Sequence, residues 1–237
     1  SIRLGSATTD ATVSPEGRWT ATLPAVPAGG PHELEITMGG ERIQLKNILT
    51  GDVWLASGQS NMAGYGKAAE LSAEWRTPPA NVMLIHWGRT QALASGSIGP
   101  EVTLAHALAR AMPGRQIVLF KAAHGGTSQL AWQPELDQAR IDRLKLSHDQ
   151  RVGHAYAQLI AAWKKAFPDG GVKPAALLWM QGESDARVPE LAKDYEQHLT
   201  NLIASLRRDL DAPQMKAVIA EINPAKVTPV SPFPFVD

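Results

Sequence analysis

Leu34, Ile36 and Met38 alternate with polar neighbours, and after Gly39-Gly40 the alternation resumes at Ile43 and Leu45. Successive side chains of a strand point to opposite faces, so this pattern predicts a half-buried β-hairpin turning at the glycine pair. Pro15-Glu16-Gly17 marks a further turn, and residues 1–50 read as a β-rich segment of roughly four short strands. So few strands seldom make an independent sandwich: the segment either packs on the next domain or is the remnant of a larger β-module.

From Asp52 the period changes. Short apolar runs alternate with helical periodicity, as in a parallel sheet covered on both faces by helices. Strands are predicted at Val53–Ala56, Val82–His86, Ile117–Ala122, Ala175–Trp179 and Ala217–Glu221, which makes residues 51–237 an α/β domain with a five-stranded parallel sheet. Leu191, Tyr195, Leu199, Leu202, Leu206 and Leu210 recur at spacings of three and four, predicting one long amphipathic helix. Val152, Tyr156, Leu159, Trp163 and Phe167 predict a second. Leu104, Leu108 and Ala111 share one face of a shorter helix over Glu101–Met112.

A chain of 237 residues holds one such domain plus a small extra module. Lysine plus arginine and aspartate plus glutamate number 23 each. No net field therefore draws the protein to nucleic acid or to an anionic membrane, and a neutral substrate fits better. Without cysteine there are no disulfides, no thiolate catalysis and no cysteine-ligated zinc. No histidine pair has metal-ligand spacing on a helix face, so neither metal nor cofactor is expected. No run reaches the roughly 20 apolar residues of a membrane span, and the chain reads as a mature or trimmed soluble protein.

Three polar clusters follow three of the predicted strands, where an open α/β sheet places its ligands. After the first comes Gly58-Gln59-Ser60-Asn61-Met62, with Ser60 at the start of a helix. A hydroxyl there gains from the helix dipole and exposed amides, although serine is also a preferred N-cap and nothing more. His124-Gly125-Gly126-Thr127 follows the third strand; its glycines let backbone amides approach a reacting group, but they also suit an ordinary strand-to-helix turn. The fourth strand ends in Gln181-Gly182-Glu183-Ser184-Asp185, where the Gln181 amide is a candidate donor to developing negative charge.

Taken in order, these three motifs resemble the signatures of the sialic acid-specific acetylesterase and acetyl xylan esterase group of the SGNH-hydrolase superfamily. Gly51-Asp52-Val53-Trp54-Leu55, Gly99-Pro100, Trp132 and Tyr195 add to the likeness, which spans roughly Trp19 to Ile222. The resemblance implies a three-layer α/β/α sandwich of the flavodoxin-like kind, preceded by the small β-rich segment. It implies a carbohydrate acetylesterase in which Ser60 is the nucleophile, and in which the amides of Ser60 and of Gly125 or Gly126, with the Gln181 side chain, form the oxyanion hole. Gln59, Asn61 and His124 are then candidates for substrate binding. Replacing Gln181 by alanine is expected to cost about 10² to 10³ in turnover.

The family's base is a histidine in an Asp-x-x-His segment after the fifth strand, and residues 222–237 hold no histidine. The expectation is a site completed by a C-terminal segment or a second chain, or a domain without its base. Of the seven histidines, His124 alone is expected at the strand ends, as a substitute base or as part of the pocket wall. His32, His86, His106, His148, His154 and His198 fall on predicted strands, helices or turns. Glu183 either orients the histidine or braces its loop, and Asp185 reads foremost as a helix cap. Two other readings remain: a sugar-binding protein on the same fold, and a phosphate binder, which the missing glycine-lysine phosphate loop argues against. Acetylated xylan, other hemicelluloses and O-acetyl sialic acid all suit the esterase reading, with Trp75, Trp87 and Trp132 as candidate sugar platforms, and a polymeric substrate implies a secreted or periplasmic enzyme.

Overall fold

The computed structural model describes residues 1–135, 153–168 and 170–222. Strands β1 (Ile2–Leu4), β2 (Ala7–Thr9) and β3 (Gly29–Met38) lead into β4 (Glu41–Gly58), an 18-residue strand. Helix α1 (Ser60–Ala63) follows at once, then β5 (Gly66–Lys67), α2 (Ala73–Arg76), β6 (Val82–His86), β7 (Arg89–Gln91), β8 (Ser97–Ile98) and α3 (Glu101–Ala111). The chain continues through β9 (Gln116–Ala123), α4 (His154–Ala166), β10 (Pro174–Met180), α5 (Pro189–Lys193), α6 (Tyr195–Asp209) and β11 (Lys216–Ile219).

The main sheet is mixed rather than purely parallel. β11, β10, β4, β9 and β6 pair in that order and run parallel, but β7 is antiparallel at one edge. β4 also continues backwards into an antiparallel hairpin with β3, giving nine strands in one sheet among the described residues. The expectation of five parallel strands alone fails because nothing interrupts β4 at residues 50–51. Gly51 acts as a point of close approach, where a methyl group would stand 1.9 Å from the Gln116 carbonyl oxygen. β7 arises from a two-residue turn with Trp87 at φ 48° and Gly88 at φ 77°, the doubly left-handed geometry that matches strand twist.

The pleat sorts side chains into cores on both faces of the sheet. Val53 and Leu55 of β4, Phe120 and Ala122 of β9 and Leu177 and Trp179 of β10 meet Tyr156, Leu159 and Trp163 of α4 and Leu199, Leu202 and Leu206 of α6. On the other face Ile117, Leu119 and Leu84 meet Val102, Ala105 and Leu108 of α3. The buried stripe of α3 is thus turned from the expected one, and Ala111 is exposed. The predicted long helix is broken at Asp194 into α5 and α6, and β11 is an exposed edge strand ending at Ile219. The β3–β4 hairpin has the expected register, with Ile36 opposite Ile43 and Leu34 opposite Leu45. Its apolar row is not half-buried: Met38, Ile43 and Leu45 are 57%, 56% and 48% exposed, since the hairpin extends beyond the helices that cover the parallel strands.

Candidate active site

The carboxyl ends of β10, β4 and β9 are tied together by their backbones. Gln59 N–H donates to the Met180 carbonyl at 3.0 Å, and His124 N–H donates to the Gly58 carbonyl at 3.0 Å. Gly58 has φ 144°, and a methyl group on it would stand 2.0 Å from the Met180 carbonyl oxygen. Only glycine turns the chain here, and the turn delivers Ser60 as the first residue of α1. The N-cap is Gln59, whose side chain makes no capping bond, so the hydroxyl of Ser60 is not consumed as a cap.

Gly125 lies directly beside Ser60: a methyl group on it would stand 3.8 Å from Ser60 Cβ. Gly126, at φ 73°, reverses the chain immediately afterwards. Among the described residues the N–H groups of Ser60, Gly125 and Gly126 donate to no protein acceptor. The first amides of a helix have no partner within it, so the Ser60 amide is an orphan donor at the positive end of α1. The Ser60 turn and the Gly125 turn thus stand side by side, and each carries an amide that no protein acceptor among the described residues takes.

Gln181 is 2% exposed and braces the neighbouring loop. Its Nε2 donates to the Thr127 carbonyl at 3.0 Å and to Asp185 Oδ2 at 2.5 Å, while Oε1 has no partner among the described residues. To serve as an oxyanion donor it must release one of these acceptors. Asp185 is fully buried and also accepts from the Gln129 amide at 3.0 Å, linking the loop after β10 to the loop after β9. Burial pushes its carboxyl up to about 6, against the lowering effect of the Gln181 and Gln129 bonds. Tyr195 donates to the Gln181 carbonyl at 2.5 Å and receives Trp179 Nε1 at 3.2 Å, and burial raises its phenol to about 12. Trp132 Nε1 donates to Thr127 Oγ1, which itself donates to the His124 carbonyl.

The remaining candidates take different places. Gln59 is buried; its Oε1 accepts from the Gly182 and Ser184 amides at 3.4 and 3.3 Å, and its Nε2 lies 3.5 Å from Ser60 Oγ. Asn61 is exposed and donates to Glu183 Oε1, leaving Glu183 Oε2 buried without a partner among the described residues. The His124 ring packs 4.7 Å from Trp87 and 5.7 Å from His154, and its Nε2 meets Gln158 Oε1 at 2.5 Å. His154 completes that chain through Gln158 Nε2. His32 pairs with Thr50, His86 with Gln91, and His106 stacks edge-on against Trp75, while His148 lies outside the described residues. Among the described residues no histidine is hydrogen-bonded to Ser60. Trp132 is fully buried in the core, which removes it as a sugar platform.

A family profile described as carbohydrate esterase, sialic acid-specific acetylesterase, matches residues 50–231 and takes in all three loops. The chain belongs to that family. A probable carbohydrate esterase of Arabidopsis thaliana is 26% identical over 211 residues, 77% of this chain and 74% of its own. The crystal structure of an Arabidopsis thaliana protein superposes with a TM-score of 0.56 at 21% identity, over 71% of this chain and 73% of that one. A carbohydrate acetylesterase from Xanthomonas citri superposes with a TM-score of 0.62 at 23% identity; the match covers 92% of this chain and 52% of the Xanthomonas protein. These likenesses speak for a common fold, a mixed α/β domain with a central sheet. Within the carbohydrate esterase family match, the tie that the sequence reading missed is Asp185. No local signal marks it, because the Gln129 amide that it holds lies 56 residues away in sequence.

Proposed function

We propose that this carbohydrate esterase removes O-acetyl groups from sugars through an acetyl-enzyme on Ser60. The observation that carries the reading is the nearness of Gly125 to Ser60, with an unspent amide in each of the two turns. Ser60 Oγ attacks the acetyl carbonyl carbon as its proton passes to a general base, and the carbonyl oxygen takes up the negative charge between the amides of Ser60 and Gly125. The C–O bond to the sugar then breaks, the sugar oxygen takes the proton from the base, and water repeats the sequence to release acetate. A charged oxyanion is a stronger acceptor than a neutral carbonyl, so it competes with the Thr127 carbonyl for one hydrogen of Gln181 Nε2.

The general base in this reading is a histidine that the described residues do not include. Glu183 suits the part of its orienting acid, because Oε2 has no other partner, whereas both oxygens of Asp185 are engaged. Exposed Asn61, next to Ser60 in the chain, is the candidate to touch the sugar.

Labelling the full-length protein with an aryl fluorophosphonate, followed by peptide mapping, tests the assignment. The expected adduct is on Ser60, with loss of both label and acetate release in Ser60→Ala. Acetate release that survives Ser60→Ala would refute it. The competing reading, a sugar-binding protein, predicts binding of acetylated oligosaccharides without acetate release. Comparing acetylated xylan with O-acetyl sialic acid in the same assay identifies the substrate class.

A further inference from the structure

A buried ion pair lies beneath the Ser60 turn. Lys121 of β9 and Glu101, the first residue of α3, meet at 2.8 Å with side chains 3% and 2% exposed. Neither takes part in the chemistry proposed above. Lys121 Nζ also donates to the carbonyl of Ala63, the last residue of α1, at 2.9 Å. Glu101 accepts from the Gly99 amide with both carboxylate oxygens, at 3.0 and 3.1 Å.

The Gly99 segment is pressed against the same turn. A methyl group on Gly99 would stand 2.7 Å from the Met62 carbonyl oxygen and 3.3 Å from that of Asn61. One on Gly64 would stand 2.4 Å from the Ile98 carbonyl oxygen. Met62 is itself fully buried in a cluster with Ala56 of β4 and Ala123 of β9. The four-residue helix that begins with Ser60 therefore ends on an ammonium group, and that ammonium is held by a carboxylate clamped to the adjoining loop.

Burying two charges is a poor way to stabilise a fold, because apolar residues of the same volume generally do as well or better. The bond from the buried Lys121 ammonium to the last carbonyl of α1 ties the end of that helix to β9. We propose that the Lys121–Glu101 pair is a positioning device that sets the depth and orientation of α1, and with them the place of Ser60 Oγ beside Gly125. Lys121 and Glu101 are positioning residues, acting through Ala63 and Gly99. The inference rests on Ser60 being the nucleophile.

The test compares the full-length wild type with Lys121→Met, Glu101→Gln and the double variant, in which no unpaired charge is left buried and the introduced carboxamide can still accept from Gly99. The expected result for the double variant is a melting temperature within about 4 °C of the wild type. Its kcat on an aryl acetate is expected to fall about a hundredfold, since an ångström of displacement costs that much. KM should stay within about threefold, and fluorophosphonate labelling of Ser60 should slow in parallel with kcat. A double variant with wild-type kcat would overturn the proposal, and so would one that no longer folds, which would make the pair a support of the fold itself. Failure of the underlying reading looks different: the wild type would take no label at Ser60, or Ser60→Ala would turn over normally.

Discussion

Asp185 carries a carboxyl held near 6 by burial, so it exchanges its proton in a range where the unfolded chain has already lost its own. A folded-state value above the unfolded one means that the native state binds the proton more tightly. The stability from this group is complete below about pH 4 and is lost as pH rises through about 6. The shift from 3.8 to about 6 corresponds to about 3 kcal/mol. Asp185→Asn has no such titration. Urea unfolding of both proteins between pH 4 and 7 should show the wild type losing stability relative to the variant as pH rises; parallel profiles would contradict this account. The residue types of the site were legible because strand ends, glycine pairs and a serine at a helix start are local signals. The Asp185 tie was not legible, because it depends on the Gln129 amide, which is distant in sequence.

The three turns at the sheet rim differ in what their glycines do, and substitution should separate these roles. Alanine at Gly58 would place a methyl group 2.0 Å from the Met180 carbonyl oxygen at φ 144°, so the strand ends must part. We expect it to cost more than about 4 kcal/mol, the range reserved for severe steric conflict. Alanine at Gly125 meets only Ser60 Cβ at 3.8 Å, an ordinary contact, and its backbone is not left-handed. Stability should then change by less than about 1 kcal/mol. The added methyl group fills the space the acetyl group needs, so turnover should collapse while the melting temperature holds. Wild-type turnover in Gly125→Ala would remove Gly125 from the site. At this scale periodicity located α4 and α6 well, from stripes such as Tyr156-Leu159-Trp163 and Leu199-Leu202-Leu206. It missed β7, since a tryptophan at positive φ carries no turn signature, and it missed the break at Asp194, where the leucine spacing continues from one helix into the next.

Across the whole molecule, the sequence pattern found the five parallel strands but not the sheet that contains them. Alternation cannot distinguish a strand that ends at Gly51 from one that passes through it, and here it passes through. Nor does alternation reveal what covers a face, which is why the hairpin carrying Ile43 and Leu45 is more open than its pattern implies. The family match begins at residue 50, in the middle of this same strand.

That continuity gives a single strand two lifetimes. Residues 53–58 are held on one side by β9 and on the other by β10, whereas residues 41–50 pair only with β3 among the described residues. Deuterium should enter the outer stretch through brief fraying and reach the inner stretch only when the whole domain opens. Peptide-resolved exchange is expected to show a sharp step at Gly51, and a uniform rate from Glu41 to Gly58 would mean that the two halves open as one. The nucleophile turn then hangs from the slow end, insulated from whatever happens to the hairpin at the fast one.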